Sequence, residues 1–194
     1  MTIRVAAPAL LFSILAATSA HADCKSEAQS IMQGMESSPP YRVEIEMTSG
    51  DTTSKMQGEA ILPGSVHMTS DQMEMVMTPN GVWMGKPGKM QKSPPEMAEQ
   101  MKGMIKQGMN MGVTGIETTE CLGMMEFEGG TYEQFKYKLN TTFMGIATKA
   151  SVDLYVNEDK RPVWMIIDGE AMGTKSLTKQ HITYDDSVTI TDPK

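Results

Sequence analysis

From Tyr41 the chain alternates. Tyr41, Val43, Ile45 and Met47 are apolar, and Arg42, Glu44, Glu46 and Thr48 are polar. A period of two, with one dry and one wet side, predicts an antiparallel strand lying on a core by one face. Ser49-Gly50-Asp51 turns the chain, and a second strand is expected from Met56 to Ile61. Leu62-Pro63-Gly64 turns it again before a third strand, Val66 to Thr69. Met73, Met75 and Met77 share one side of a fourth. Pro79-Asn80-Gly81 supplies the residues a tight hairpin needs, and a fifth strand, Gly81 to Gly85, carries Trp83 and Met84.

The period then changes. Ser93-Pro94-Pro95-Glu96 matches a Ser-x-x-Glu capping box with proline at the first helical position. Met97, Met101, Met104 and Ile105 follow at helical spacing, and Gly108 is placed to end the helix. An amphipathic helix set between two runs of strands is most simply a helix lying on a sheet. Strands are expected again at Ile116–Cys121, Met124–Glu128, Tyr132–Leu139, Ala150–Val156, Val163–Asp168, Leu177–Tyr184 and Val188–Ile190. An earlier helix, Lys25 to Ser37, is read from the stripe Cys24, Ala28, Ile31, Met32 and Met35, and Ser38-Pro39-Pro40 stops it. The class is α+β, mainly antiparallel β, with about 11 short strands in a meander or barrel.

Residues 1–22 read as a cleaved secretory leader. Arg4 precedes an apolar run from Val5 to Ala17, and Ala20-His21-Ala22 fits a cleavage site. The run is short for a bilayer span of about 20 residues. A lipid on Cys24 is the other alternative, but His21-Ala22-Asp23 lacks the expected lead-in. Residues 23–194 then form one domain. The net charge of −7 becomes one unit more negative without Arg4, which argues against a nucleic-acid surface. An exported chain whose two cysteines are Cys24 and Cys121 most simply joins them. The bridge would close a loop of about 98 residues.

Catalytic chemistry finds little support. His67 and His181 sit in no nucleophile or zinc motif, and Gly112-Val113-Thr114-Gly115 lacks the lysine of a phosphate loop. Asp185-Asp186 is a turn, too few oxygens for calcium. No enzyme activity, cofactor or assigned metal site is expected.

Methionine is the abnormal signal. Of 21 methionines, ten fall between Met73 and Met111, whereas residues 23–194 hold only Leu62, Leu122, Leu139, Leu154 and Leu177 as leucines. Three uses compete. Methionine is unbranched and polarizable, so it packs around irregular or varied apolar ligands. Thioethers also select Cu(I), yet Met73, Met75 and Met77 stand about 6.8 Å apart along a strand. Met109-x-Met111 repeats the suggestive spacing, and Met97, Met101 and Met104 could converge on a helix, but no histidine or cysteine lies near to help. Finally, exposed methionines such as Met90, Met109, Met111, Met124 and Met125 could scavenge hypochlorous acid or peroxide and be restored by a methionine sulfoxide reductase.

Two stretches carry a family likeness. The first is YRVEIEMTSGDTTSKMQGEAILPGSVHM with the GVWMG strand after it; the second is ASVDLYVNEDKRPVWMIID, followed by HITYDDSVTITDP. With the inserted helix they cover most of residues 25–193 and resemble the LolA-like superfamily of periplasmic lipoprotein carriers. The resemblance implies an incomplete, open β-barrel whose concave apolar face is covered by an N-terminal helix and a lid helix. It implies a cavity for a lipid or lipoprotein acyl chain, a periplasmic location in a Gram-negative envelope, and a delivery partner at the inner or outer membrane. The expected lining is Val43, Ile45, Met47, Met73, Met75, Met77, Met84, Met97, Met101 and Met104, with Trp83 at the edge.

Overall fold

The computed structural model describes residues 19–143, 146–171 and 173–193; side chains at 19–23, 107–114, 142–147 and 171 lie outside the description. Residues 1–18 of the expected leader are thus outside it, as are the side chains of Met109 and Met111.

Among the described residues eleven strands form one antiparallel sheet. The first meander contains β1 (Tyr41–Ser49), β2 (Thr52–Ile61), β3 (Ser65–Ser70), β4 (Glu74–Thr78), β5 (Gly81–Lys86) and β6 (Lys89–Lys92). The second contains β7 (Ile116–Phe127), β8 (Gly130–Phe143), β9 (Ile146–Val156), β10 (Pro162–Ala171) and β11 (Thr174–Tyr184). The order across the sheet is β6-β5-β4-β3-β2-β1-β11-β10-β9-β8-β7. Each neighbouring pair is consecutive in sequence except β1 and β11, which run together from Tyr41 opposite Tyr184 to Ser49 opposite Ser176. β6 and β7 are the free edges, so the barrel stays open as expected.

Two helices among the described residues occupy one side. α1 (Ser19–Gly34), extended by a 3-10 turn at Met35–Ser37, precedes the sheet; α2 (Pro95–Thr114) leads from β6 to β7. Those strands are opposite edges, so α2 has to traverse the sheet. Neither is long and apolar enough to cross a membrane among the described residues. α1 buries Ala28 and Ile31 against Ile116, Phe135, Tyr137, Val152, Leu154, Val156 and Met165. Its Cys24 is bonded to Cys121 of β7, with the Cα atoms 5.6 Å apart. Lys160 ties the same end down, donating to Glu27 at 2.7 Å and also to Glu133. α2 lays Ala98, Met101 and Ile105 on a second cluster built from Ala60, Val66, Met77 and Val82.

Several boundaries differ from the sequence expectation. α1 is already helical ahead of the expected start at Lys25, from Ser19 on among the described residues. A sixth strand, Lys89–Lys92, precedes α2; its mostly polar residues give no alternation to read. α2 begins at Pro95, one residue later than the capping box implied: the Pro94 carbonyl accepts the first helical bond from Ala98 at 2.9 Å, and the Ser93 N–H donates to the Val82 carbonyl at 2.7 Å. Two prolines that have no N–H of their own to satisfy make that start possible. α2 also continues through Gly108 and Gly112 to Thr114, since each glycine costs a helix only about 1 kcal/mol. Ile116–Cys121 and Met124–Glu128 are one strand, β7, whose register shifts between Cys121 and Gly123. Gly123, at φ +75°, makes that irregularity possible.

Val188–Ile190 is not a strand. After β11 the chain crosses the end of the first meander on its convex side. Asp185 donates its N–H to the Pro40 carbonyl and accepts from Arg42, Val188 is buried, and Asp192 accepts from Thr78 at 2.6 Å and Asn80 at 3.0 Å. At the other end, the β7–β8 hairpin folds over the convex face. Phe127 stacks on Tyr155 with centroids 4.2 Å apart and meets Trp164 edge-on, while Glu128 accepts from Lys179 at 2.5 Å.

Candidate functional site

The register carries one face across the whole sheet. Val43, Ile45 and Met47 of β1 stand opposite Gly58, Met56 and Ser54 of β2, and opposite Ile182, Gln180 and Thr178 of β11. Outward from β2, Gly58 faces Met68, Met68 faces Met75, and Met75 faces Met84. From β11, Gln180 faces Met165, Met165 faces Leu154, and Leu154 faces Phe135. This is the concave side, since both helix-covered clusters lie on it.

Along β1, between the clusters, Val43, Ile45 and Met47 belong to neither, which leaves a partly covered strip of the concave face, the groove. Tyr41 and Tyr184 close one end, edge to face with centroids 6.0 Å apart. Burial pushes the Tyr41 phenol up to about 12, so it stays neutral. Val43 and Ile45 are half-buried, and Met47, at 38% exposed, stands toward the open end. Gly58 shapes the floor. A Cβ there would lie 2.4 Å from Met68 Sδ and 2.9 Å from Val43 Cγ1, so only glycine lets both side chains lie over β2.

The structure brings some expected lining residues together and separates others. Met75 and Met84 pack on the α2 cluster, Met77 is buried within it, and Met101 reaches it from the helix. Val43, Ile45 and Met47 line the adjoining groove. Met97 is turned away and is 50% exposed; Ala98, about 100° round the helix, takes the inward position. Met104 is half-buried but is not among the residues packed on the strand cluster. Met73 precedes β4 in an exposed turn, where its carbonyl accepts from the Ser70 N–H at 2.8 Å. Trp83 is on the opposite face. It pairs with Val76, alternates with inward Val82 and Met84, and is buried with Lys92 Nζ 5.0 Å from its ring. Met56, Met68 and Ile105 were not expected in the lining, although the alternation Val66-His67-Met68-Thr69 marks Met68 as inward.

Two polar groups are set into the apolar side. The hydroxyls of Thr119 and Tyr137, cross-strand partners, are buried without a hydrogen-bond partner among the described residues. Burial raises the Tyr137 pKa, leaving a neutral donor. Among the described residues no group of three histidine, cysteine or acidic side chains is placed to hold a metal ion. His67 lies on the convex face with Nε2 2.9 Å from Glu74 Oε1 and 3.3 Å from Thr69 Oγ1.

No protein-family model and no curated protein sequence matches the chain. Solved structures do. The chain is similar to LprF from Mycobacterium bovis at 11% identity, with a TM-score of 0.59 over 89% of this chain and 97% of that one. It is also similar to the Mycobacterium tuberculosis lipoprotein LppX at 10% identity, with a TM-score of 0.55 over 88% of this chain and 99% of that one. At such identities the likeness is one of fold. The open antiparallel sheet covered by helices is the fold of LprF and LppX, and it is the architecture the two strand-rich stretches implied.

Proposed function

We propose that the protein is a non-catalytic, extracytoplasmic carrier of an apolar ligand, a lipid or the acyl chain of a lipoprotein. The groove carries this reading. Val43, Ile45, Met47 and Met56 form an apolar strip left partly uncovered between two helix-covered clusters. An acyl chain would continue the surface that α1 and α2 already cover. α2 is the movable cover, because it rests on thioethers that re-pack at little cost. The overlap with nearly the whole of LprF and of the lipoprotein LppX supports the same reading. The disulfide fits an oxidising compartment outside the cytoplasm. Release would fall to a membrane-bound partner.

The test is lipid retention. Protein recovered from the compartment to which it is exported should release lipid into organic solvent, identified by mass spectrometry. Met101→Asp places a carboxylate against Met75 and Met84 and is expected to abolish that lipid while the sheet's circular dichroism survives. Met101→Leu should keep it. Unchanged lipid in Met101→Asp removes α2 from the site.

A second reading has its own observation. Of the seven large apolar side chains most exposed among the described residues, five are Met47, Met73, Met97, Met124 and Met125. Each thioether can accept oxygen from hypochlorous acid, giving the sulfoxide and chloride, and a reductase can reverse this. Peptide mapping after limited hypochlorous acid should find these five oxidised before Met77 and Met165. Uniform oxidation, no faster than free methionine at equal sulfur, would exclude a scavenging role.

A further inference from the structure

Spacing along the chain keeps the methionines apart, but the sheet does not. Residues two apart on a strand are about 6.8 Å from one another. Directly opposed residues on neighbouring antiparallel strands have Cβ atoms only about 4.5–5.5 Å apart. Met68 of β3 opposes Met75 of β4, and Met75 opposes Met84 of β5. Three methionine side chains therefore start from one row across three strands. Met101 of α2 packs on the same cluster as all three, and so supplies a fourth thioether from above.

We infer that Met68, Met75, Met84 and Met101 form a binding site for a soft monovalent metal ion, Cu(I). The donor set decides the ion. Neutral thioethers are soft and bind Cu(I), whereas zinc and Cu(II) need imidazole, thiolate or carboxylate. The strand-borne imidazole nearest in sequence, His67, is on the other face and engaged with Glu74. Met75 is central, flanked on both sides. The Met68 sulfur rests over Gly58, and its three side-chain torsions let it swing toward Met75. All four side chains are only partly buried in the cluster, which leaves an entry path. A bound ion would tie α2 to β3, β4 and β5. The site needs no lipid in the groove, so lipid retention is measured on the same samples and the two readings can fail separately.

The experiment uses Ag(I) as a redox-inert probe and Cu(I), kept reduced with ascorbate, in competition with a bathocuproine chelator. Native mass spectrometry should show one ion per chain. In the unaltered protein carrying methyl-labelled methionine, Ag(I) should move the methyl resonances of Met68, Met75, Met84 and Met101 and leave Met124 in place. Losing a direct ligand should weaken affinity at least as much as losing a ligand's hydrogen-bond partner, by about 10–100-fold. That is expected for Met75→Leu and Met84→Leu, which keep apolar volume; Met124→Leu should change nothing. Thioethers have no proton to lose, so affinity should be flat on acidification from about pH 8 to pH 5, where imidazole or thiolate ligands would weaken. X-ray absorption should find sulfur alone around the ion. The assignment is overturned if resonances elsewhere move, if Met75→Leu binds as tightly as the parent, if affinity falls with pH, or if nitrogen appears among the ligands.

Discussion

Under α1 the concave face is filled by Phe135, Tyr137, Val152, Leu154 and Val156, all essentially inaccessible. Under α2 it is filled by Val66, Met77 and Val82, ringed by the half-covered Met68, Met75, Met84 and Met101. The first helix is bonded to the sheet through Cys24 and clamped by Lys160; the second is held by apolar contacts alone among the described residues. Branched and aromatic side chains in defined rotamers favour one packing, whereas unbranched thioethers tolerate several. One meander is therefore a fixed wall and the other an adaptable one. The groove lies where they meet, so a ligand of the proposed kind would be gripped from the soft side while the stiff side keeps its shape.

Removing the staple should have the largest effect. The bridge spans 97 residues, and the chain-entropy account gives such a loop about 4–5 kcal/mol at most. Replacing both cysteines with alanine should lower the denaturation midpoint accordingly, and hydrogen exchange should show α1 and β7 losing protection before β3, β4 and β5. Equal loss in both meanders would mean that the halves are one cooperative unit.

Core truncation comes next. Leu154→Ala should cost about 2–5 kcal/mol, since the site is close-packed and collapses poorly. Met75→Ala should fall at or below the low end of that range, about 2 kcal/mol, because its neighbours can re-pack. Similar costs by urea unfolding would remove the distinction between stiff and soft halves.

The smallest effect is an acid-side one. The Gly88 N–H donates to Glu74 at 2.8 Å, and His67 bonds the other oxygen, so the Glu74 carboxyl is held below its ordinary value of 4.5. A carboxyl with a depressed folded pKa contributes stability above its unfolded value, and that contribution is lost as pH falls through the folded one. Glu74→Gln should therefore flatten the acid limb of the stability curve while Leu154→Ala leaves its shape unchanged. An acid limb identical to the parent's would remove Glu74 from the α2 half's pH response.

The alternating strands were legible because one face is wet. Arg42, Glu44 and Glu46 against Val43, Ile45 and Met47 admit only one reading. Gly-Val-Trp-Met-Gly at 81–85 does not, since consecutive apolar residues give no parity, and Trp83 falls on the convex face. Helix rotation was ambiguous for a related reason. Met97 and Ala98 are both apolar, and close approach of α2 to β5 favours the small one inward. The row Met68-Met75-Met84 could not be found by spacing at all, since it is created by strand register.

The pairing of β1 with β11 has a consequence for assembly. Every other strand contact is a local hairpin, which closes a short loop and forms early. The β1–β11 seam joins Tyr41 to Tyr184, and the tail beyond it fastens Thr78 and Asn80 through Asp192. Each meander can thus form alone, but the groove cannot exist until the last stretch of chain has emerged and zipped against the first strand. The proposed binding surface is the final product of folding, so a chain interrupted before β11 would have two half-cores and no groove between them.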